Sequence, residues 1–269
     1  SSNRSFSTVE LAGAKDIVLN RLFCTGSGTK GRRGGHVEIN KQNDNIPTDI
    51  LVQDCVLEKF GRSQLKKGKL DHGVYISAAR RVRFNHNVIR YNSGRGIQVY
   101  SSDGFENRIA DLIIENCAVH DNGVQPYTDG ILLSISGNAP PATMNGVLIR
   151  NNLVYHNAFS GLRFAVPACR NVRIENNTFA LNGKLHNRGG EVYLDDVGND
   201  LHVVLTKNIF EAKHRVIGRW KNALDMKFTD NVLAGPLGDP SAFDPSNRRV
   251  RKAVKDAEKG DWRAVSDEW

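Results

Sequence analysis

Three residues able to do acid–base or anion-binding chemistry stand directly before a glycine that opens a short aliphatic run. They are His72 before Gly73-Val-Tyr-Ile, Arg95 before Gly96-Ile-Gln-Val and Asp129 before Gly130-Ile-Leu-Leu. A histidine transfers protons near neutral pH. An arginine neutralises a carboxylate or another planar anion through paired contacts. A fourth run, Gly161-Leu-Arg-Phe, has the same form, and in Gly-Gly-Glu191-Val-Tyr-Leu a glutamate takes the glycine's place. Counting from the glycine aligns Tyr75, Gln98, Arg163 and Tyr193 two positions on, and Tyr100 four positions on. The candidate catalytic set is His72, Arg95, Asp129 and Tyr100. The candidate substrate-binding set is Asp71, Tyr75, Gln98, Arg163, Tyr193 and Glu191. No metal ligand is assigned. His72, Arg95 and Asp129 are 23 and 34 residues apart. Only a fold that brings the chain back to one place at such intervals can join them.

The rest of the sequence supplies that fold. A phrase of the form V/L-x-I/F-x-x-N-x-V/I/F recurs, most clearly at Val82–Asn92, Val147–Asn157 and Val172–Asn182, with degenerate copies from Ile50, Leu112, Val203 and Met226. Aligned on Asn87, its equivalents are Cys55, Cys117, Asn152, Asn177, Asn208 and Asn231, at intervals of 32, 30, 35, 25, 31 and 23 residues. Apolar residues alternate within each copy, so the local element is a strand. Units of this size bury an apolar face only by stacking, which specifies a solenoid. The recurrent asparagine suits a tight turn with left-handed backbone, and stacked amides can donate to one another in a ladder.

This pattern, with the phrases Asp71-His72-Gly73-Val74-Tyr75-Ile76-Ser77 and Ser93-Gly94-Arg95-Gly96-Ile97-Gln98-Val99-Tyr100, resembles the right-handed parallel β-helix proteins of the pectate-lyase-like superfamily over residues 16–238. The resemblance implies an all-β solenoid of about seven or eight coils over residues 1–238. Residues 239–269 then form a capping segment. The charged stretch from Ser246 reads as a short helix with Ser246 or Asn247 as N-cap, and Trp262 and Trp269 as anchors. Residues 1–15 are expected to cap the other end.

The resemblance also implies a carbohydrate-active enzyme, and a polysaccharide lyase on an acidic, uronate-containing glycan is the leading expectation. β-Elimination requires neutralisation of the uronate carboxylate, removal of the C5 proton and protonation of the leaving oxygen. Arg95 or Arg163 suits the first task, His72 the second, and Tyr75 or Tyr100 the third. Glycoside hydrolysis is an alternative but needs two carboxylates at a set separation. Asp129 and Asp71 are the candidates on this face, and Glu191 and Asp195 lie two coils from Asp129. Uronate epimerases of the superfamily carry a D-P-H-E/D-like motif, of which Tyr127-Thr-Asp129 is a faint echo. The remaining alternative is a non-enzymatic glycan-binding or surface protein.

Composition narrows the partners. The chain of 269 residues carries a formal net charge of +8, which favours a polyanion. Nothing matches a nucleic-acid module, so an acidic polysaccharide is the expected partner. No apolar run is long enough for a membrane-spanning helix. The expected location is extracellular or periplasmic, with any targeting segment removed. Oligomeric state is left open. Four cysteines show no metal-ligand spacing. No cofactor is expected; calcium would have to draw on the scattered carboxylates Asp121, Asp129, Asp195, Asp196 and Asp200. Zinc would need a third ligand beside His120 and His156.

Overall fold

The computed structural model describes residues 7–26, 34–61, 70–101, 108–135, 144–166, 168–195, 200–219, 226–238, 244–256 and 261–264. The chain winds through three parallel sheets, in which each strand pairs with its equivalent one coil before and after. Sheet A has eight strands, from Val9–Ala12 to Ile217–Arg219, and sheet B has eight, from Lys15–Asn20 to Met226–Thr229. Sheet C has nine strands, from Phe23–Thr25 to Arg248–Val250. Eight coils therefore carry all three strands, as the repeat predicts. The residues Val9–Ala12, expected to be part of a cap, instead form the first strand of sheet A.

Inward residues stack along the axis. Val74, Ile97, Ile131, Leu162 and Val192 form one buried column. Burial of each such side chain stabilises the fold by about 1.5–3 kcal/mol. Phe179 and Phe210 stack in register on sheet C, and Phe228 of sheet B packs on Phe210 across the core, with successive ring centroids 5.3 Å apart.

The asparagines build two ladders rather than one. In the first, Asn152 Nδ2 donates to Asn177 Oδ1, Asn177 to Asn208, Asn208 to Asn231 and Asn231 to Asn247, at 2.9–3.1 Å. Cys117 takes a rung, with Asn87 Nδ2 3.8 Å from its Sγ. The second ladder runs from Asn92 through Asn122 and Asn157 to Asn182. The left-handed residue is not the ladder asparagine, as the sequence suggests, but its predecessor. His86, Asn151, Asn176, Lys207 and Asp230 all have φ of 53–56°. That conformation costs a non-glycine residue about 1–2 kcal/mol, and it frees the asparagine side chain to point along the stack.

The second ladder explains the glycines that open sheet A strands. A Cβ on Gly73, Gly96, Gly130 or Gly161 would lie 2.7–2.9 Å from the Nδ2 of Asn92, Asn122, Asn157 or Asn182. No side chain fits between strand and ladder. The glycines are therefore packing positions that fix where each site strand begins.

Among the described residues the expected C-terminal helix is absent. Arg248–Val250 is the ninth strand of sheet C, and Val254–Asp256 pairs antiparallel with Asp261–Ala264. Asn247 joins the first ladder instead of capping a helix. Satisfying the buried Asn231 amide outweighs the helical propensity of a charged stretch. Exposed Arg249 stands opposite inward Leu233 and places charge at the open end of the stack. Beyond it, Glu211 Oε2 accepts the Ala253 and Val254 amides at 2.7 and 2.8 Å, and Val254 packs on Ala180 and Tyr155. The segment thus folds back on the outer face of sheet C. Trp262 stands in the last strand, and Trp269 lies outside the described residues.

Candidate functional site

The register of sheet A places Gly35, His72, Arg95, Asp129, Ser160 and Gly190 at equivalent positions of successive coils. Tyr75, Gln98, Leu132, Arg163 and Tyr193 form the column two residues on. The alignment on glycines is therefore correct through the insertions, and the expected cluster forms at the start of the sheet A strands.

Arg95 is its hub. Nε donates to Asp129 Oδ2 at 3.1 Å, Nη1 to Gln98 Oε1 at 2.9 Å and Nη2 to the Tyr127 carbonyl at 3.1 Å. Asp129 is 0 % exposed, and its Oδ1 accepts the Ser160 hydroxyl at 2.6 Å. Burial pushes its carboxyl up, against the opposing pull of Arg95 and Arg163. Arg163 Nη1 lies 3.8 Å from Asp129 Oδ2, and Nη2 bonds Asp195. Arg163 lies over the rings of Phe159 and Tyr193, 5.8 and 5.7 Å from their centroids. Burial draws its guanidinium down, but Asp129 and Asp195 prevail and hold it above its ordinary value. Its Nε has no partner among the described residues. Arg219 closes the run, 3.2 Å from Asp195. Arg95, Arg163 and Arg219 thus face Asp129 and Asp195, a local surplus of one positive charge. A cavity of about 470 Å³ opens here, lined by Leu70, Arg95, Gln125, Pro126, Tyr127 and Arg163.

His72 belongs to the cluster in an unexpected way. It is 2 % exposed, and Nδ1 accepts the Arg95 backbone N–H at 3.0 Å. Burial, then the Arg95 charge, hold its imidazole well below the usual histidine range. The ring is therefore neutral with its proton on Nε2, and Tyr75 stacks on it at 5.9 Å. This geometry supports the Arg95 backbone rather than proton abstraction. Buried Asp71 lies beside His72 and accepts the Gly94 amide through its carbonyl.

Two candidates are not brought to the cluster. Tyr100 lies five residues along its strand from Arg95, a span of about 16 Å. Glu191 is fully buried, and both its carboxylate oxygens accept from Asn182, so it ends the second ladder, whose spacing next falls on exposed Lys213. Burial pushes its pKa up to about 8.

The structure adds residues that the repeat could not assign. Tyr127 is 48 % exposed at the cavity, with its ring 4.8 Å from Phe159 and 5.5 Å from His186. Both Tyr127 and His186 sit in insertions outside the repeating phrase. Arg219 escapes the count because the register shifts between Val192 and Tyr193. No group of three or more His, Cys, Asp or Glu side chains is placed to hold a metal among the described residues, and Asp196 lies outside them. No helix there is long and apolar enough to cross a membrane.

Stacked parallel sheets with an ionic outer face define the class. A family described as "Right handed beta helix region" matches residues 2–146, more than half of the chain, and the chain belongs to that family. No curated protein matches it. Among solved structures, it is similar to the A-module of the Azotobacter vinelandii mannuronan C-5 epimerase AlgE6. The TM-score is 0.58 at 18 % identity, over 88 % of this chain and 63 % of that one. The A-module of AlgE4 from the same organism gives 0.53 at 16 % identity, over 87 % and 64 %. The chain therefore spans less than two thirds of either, and what is shared at these identities is the fold.

Proposed function

We propose that this chain is a carbohydrate-active enzyme that holds an acidic, uronate-containing glycan on the outer face of sheet A and acts at the uronate C5. The observation that carries this reading is the surplus cation of the Arg95–Asp129–Arg163–Asp195–Arg219 run beside an open cavity. A uronate carboxylate is the anion of matching size. Neutralising it acidifies the C5 hydrogen, because the electron pair left behind can delocalise into the carboxyl group.

The reaction we favour is β-elimination. The C5–H bond breaks to a protein base, the C4–C5 double bond forms, and the C4–O bond breaks with a proton delivered to the leaving oxygen. Arg163 and Arg219 are the cations for the carboxylate. Arg95 and Asp129 act as positioning residues. Arg95 holds the Tyr127 carbonyl, and Asp129 sets both guanidiniums. His72 is committed to a backbone amide, and His186 Nδ1 likewise accepts the Arg188 amide at 3.1 Å. Tyr127 is therefore the group placed to take the C5 proton, and His186, with its proton on Nε2, the group placed to donate to the leaving oxygen. Asp129 and Asp195 are both engaged by arginine, which speaks for charge placement rather than hydrolytic acid–base work.

C5 epimerisation is the second reading, favoured by the activity that the two similar structures are named for. It shares neutralisation of the carboxylate and removal of the C5 proton, forms no C4–C5 double bond, and returns a proton to C5 from the opposite face. Incubation with polymannuronate, polyguluronate and polygalacturonate separates the cases. Elimination gives an ultraviolet-absorbing unsaturated end. Epimerisation gives solvent deuterium at C5 without absorbance. New reducing ends without absorbance would mean hydrolysis, and silence in all three would leave a glycan-binding protein.

A further inference from the structure

A second basic cavity lies outside the sheet A cluster, where the chain turns from sheet C towards the next strand of sheet A. Its volume is about 230 Å³, and its ionisable lining groups are His156, Lys184, Lys213 and His214, with no carboxylate among the lining residues. Gly183, at φ 85°, lets the backbone close the turn against the His214 ring, 3.5 Å from where a Cβ would stand. Lys184 is bonded to Asp121 at 3.1 Å, and Asp121 also engages His120 Nδ1 at 2.9 Å. That carboxylate is therefore balanced by its own partners, and exposed Lys213 adds charge to the cavity.

A row of rings leads into the same cavity. Tyr91, His120, Tyr155 and His156 follow one another with centroids 5.8, 4.4 and 5.2 Å apart, and His156 lines the cavity. Tyr91, at the far end, is 49 % exposed. His120 is stacked on Tyr155 and 6 % exposed, and Val254 packs on Tyr155, so the exposed ring of Tyr91 is the one that meets the C–H surface of a sugar. The ammonium and imidazole groups of the cavity offer donors to its carboxylate. Neither feature belongs to the groove on sheet A. The two lie next to each other on the outside of successive coils.

We propose that this cavity and ring row form a second binding site, which holds a carboxylate-bearing sugar unit of an acidic glycan away from the reaction centre. A polymer engaged at both sites would be retained between reactions at the groove. The proposal shares the ligand class of the reading above but none of its residues, so it stands or falls separately.

Isothermal titration of the full chain with short oligomers of polymannuronate and of polygalacturonate tests it, using Arg163→Ala for the groove and Lys213→Glu and Tyr91→Ala for the second site. Two classes of site are expected in the unaltered protein, and Arg163→Ala should keep the sheet C class. Lys213→Glu should weaken that class by about tenfold or more, because an attractive contact becomes a repulsive one. Tyr91→Ala should weaken it less. Melting curves that match the unaltered protein exclude misfolding, since Lys213 and Tyr91 are exposed. The proposal is overturned if neither oligomer binds outside the groove, if both variants bind as the unaltered protein does, or if equimolar inorganic phosphate displaces the oligomer. Binding at sheet C alongside silence in the polyuronate assays would sink the catalytic reading and leave this one intact.

Discussion

Two ladders of polar side chains run along the same stack of coils, and they differ in what they leave unsatisfied. Inside, each ladder asparagine donates one N–H to the next rung and another to a carbonyl of the preceding coil, as Asn177 does to Asn208 and Ile149. The rungs are neutral, buried and fully paired, so they specify the turn and do nothing else. Outside, on sheet A, charges alternate instead of amides, and three arginines face two carboxylates. One coil spacing therefore gives a closed network where the side chains are neutral and an open one where they are charged. The open one can bind.

Arg163→Ala should have the largest effect. It removes the cation shared by Asp129 and Asp195, and kcat/KM on the preferred polyuronate should fall by about 10²–10³-fold with little change in melting temperature. A comparable loss of stability would show that the outer ladder is scaffold like the inner ones. The complementary substitution is Asn177→Ala. It strands donors and acceptors on both neighbouring coils and should cost about 3 kcal/mol in denaturant unfolding, while the folded fraction keeps its specific activity.

How far this contrast was legible in the sequence depends on whether residues lie inside the repeat. Glycine spacing gives the register that joins His72, Arg95, Asp129 and Arg163, because those glycines pack on an asparagine amide and cannot drift. The ladder was legible too, but its left-handed residue was assigned one position late. Tyr127 and His186 lie in insertions, where no column exists to count from. The bulge beside Tyr193 hides Arg219. The C-terminal helix failed because Asn247 reads as a cap by local rules, whereas stacking on Asn231 is a tertiary demand. The spacing picks out His72 but not its role, because the backbone amide that occupies Nδ1 belongs to the next coil.

Glu191 sharpens the comparison, because it is a charge-bearing group built into a neutral ladder. Its folded pKa of about 8 stands above the ordinary carboxyl value of 4.5. The unfolded chain therefore ionises first, and stability should fall as pH rises from about 4.5 through 8, then level off. In Glu191→Gln, one amide oxygen can accept both Asn182 donors, as Asn182 itself does for Asn157. This variant should lose on the order of 5 kcal/mol less across that interval, as read by urea unfolding at several pH values. The smallest effect is expected for Tyr100→Phe. Because Tyr100 lies far along its strand from Arg95, activity should change less than about twofold. A larger drop would extend the working face along the whole strand.

The most direct test of the outer ladder as a reaction centre is proton exchange at the uronate C5. Polyuronate is incubated in deuterated water with the unaltered chain and with Arg163→Ala, and C5 deuterium and unsaturated ends are followed by NMR. The account predicts C5 proton loss with the unaltered chain, accompanied by unsaturated ends, and near-complete loss of both signals in the variant. Equal exchange in the two proteins, or none in either on every polyuronate tried, would contradict it.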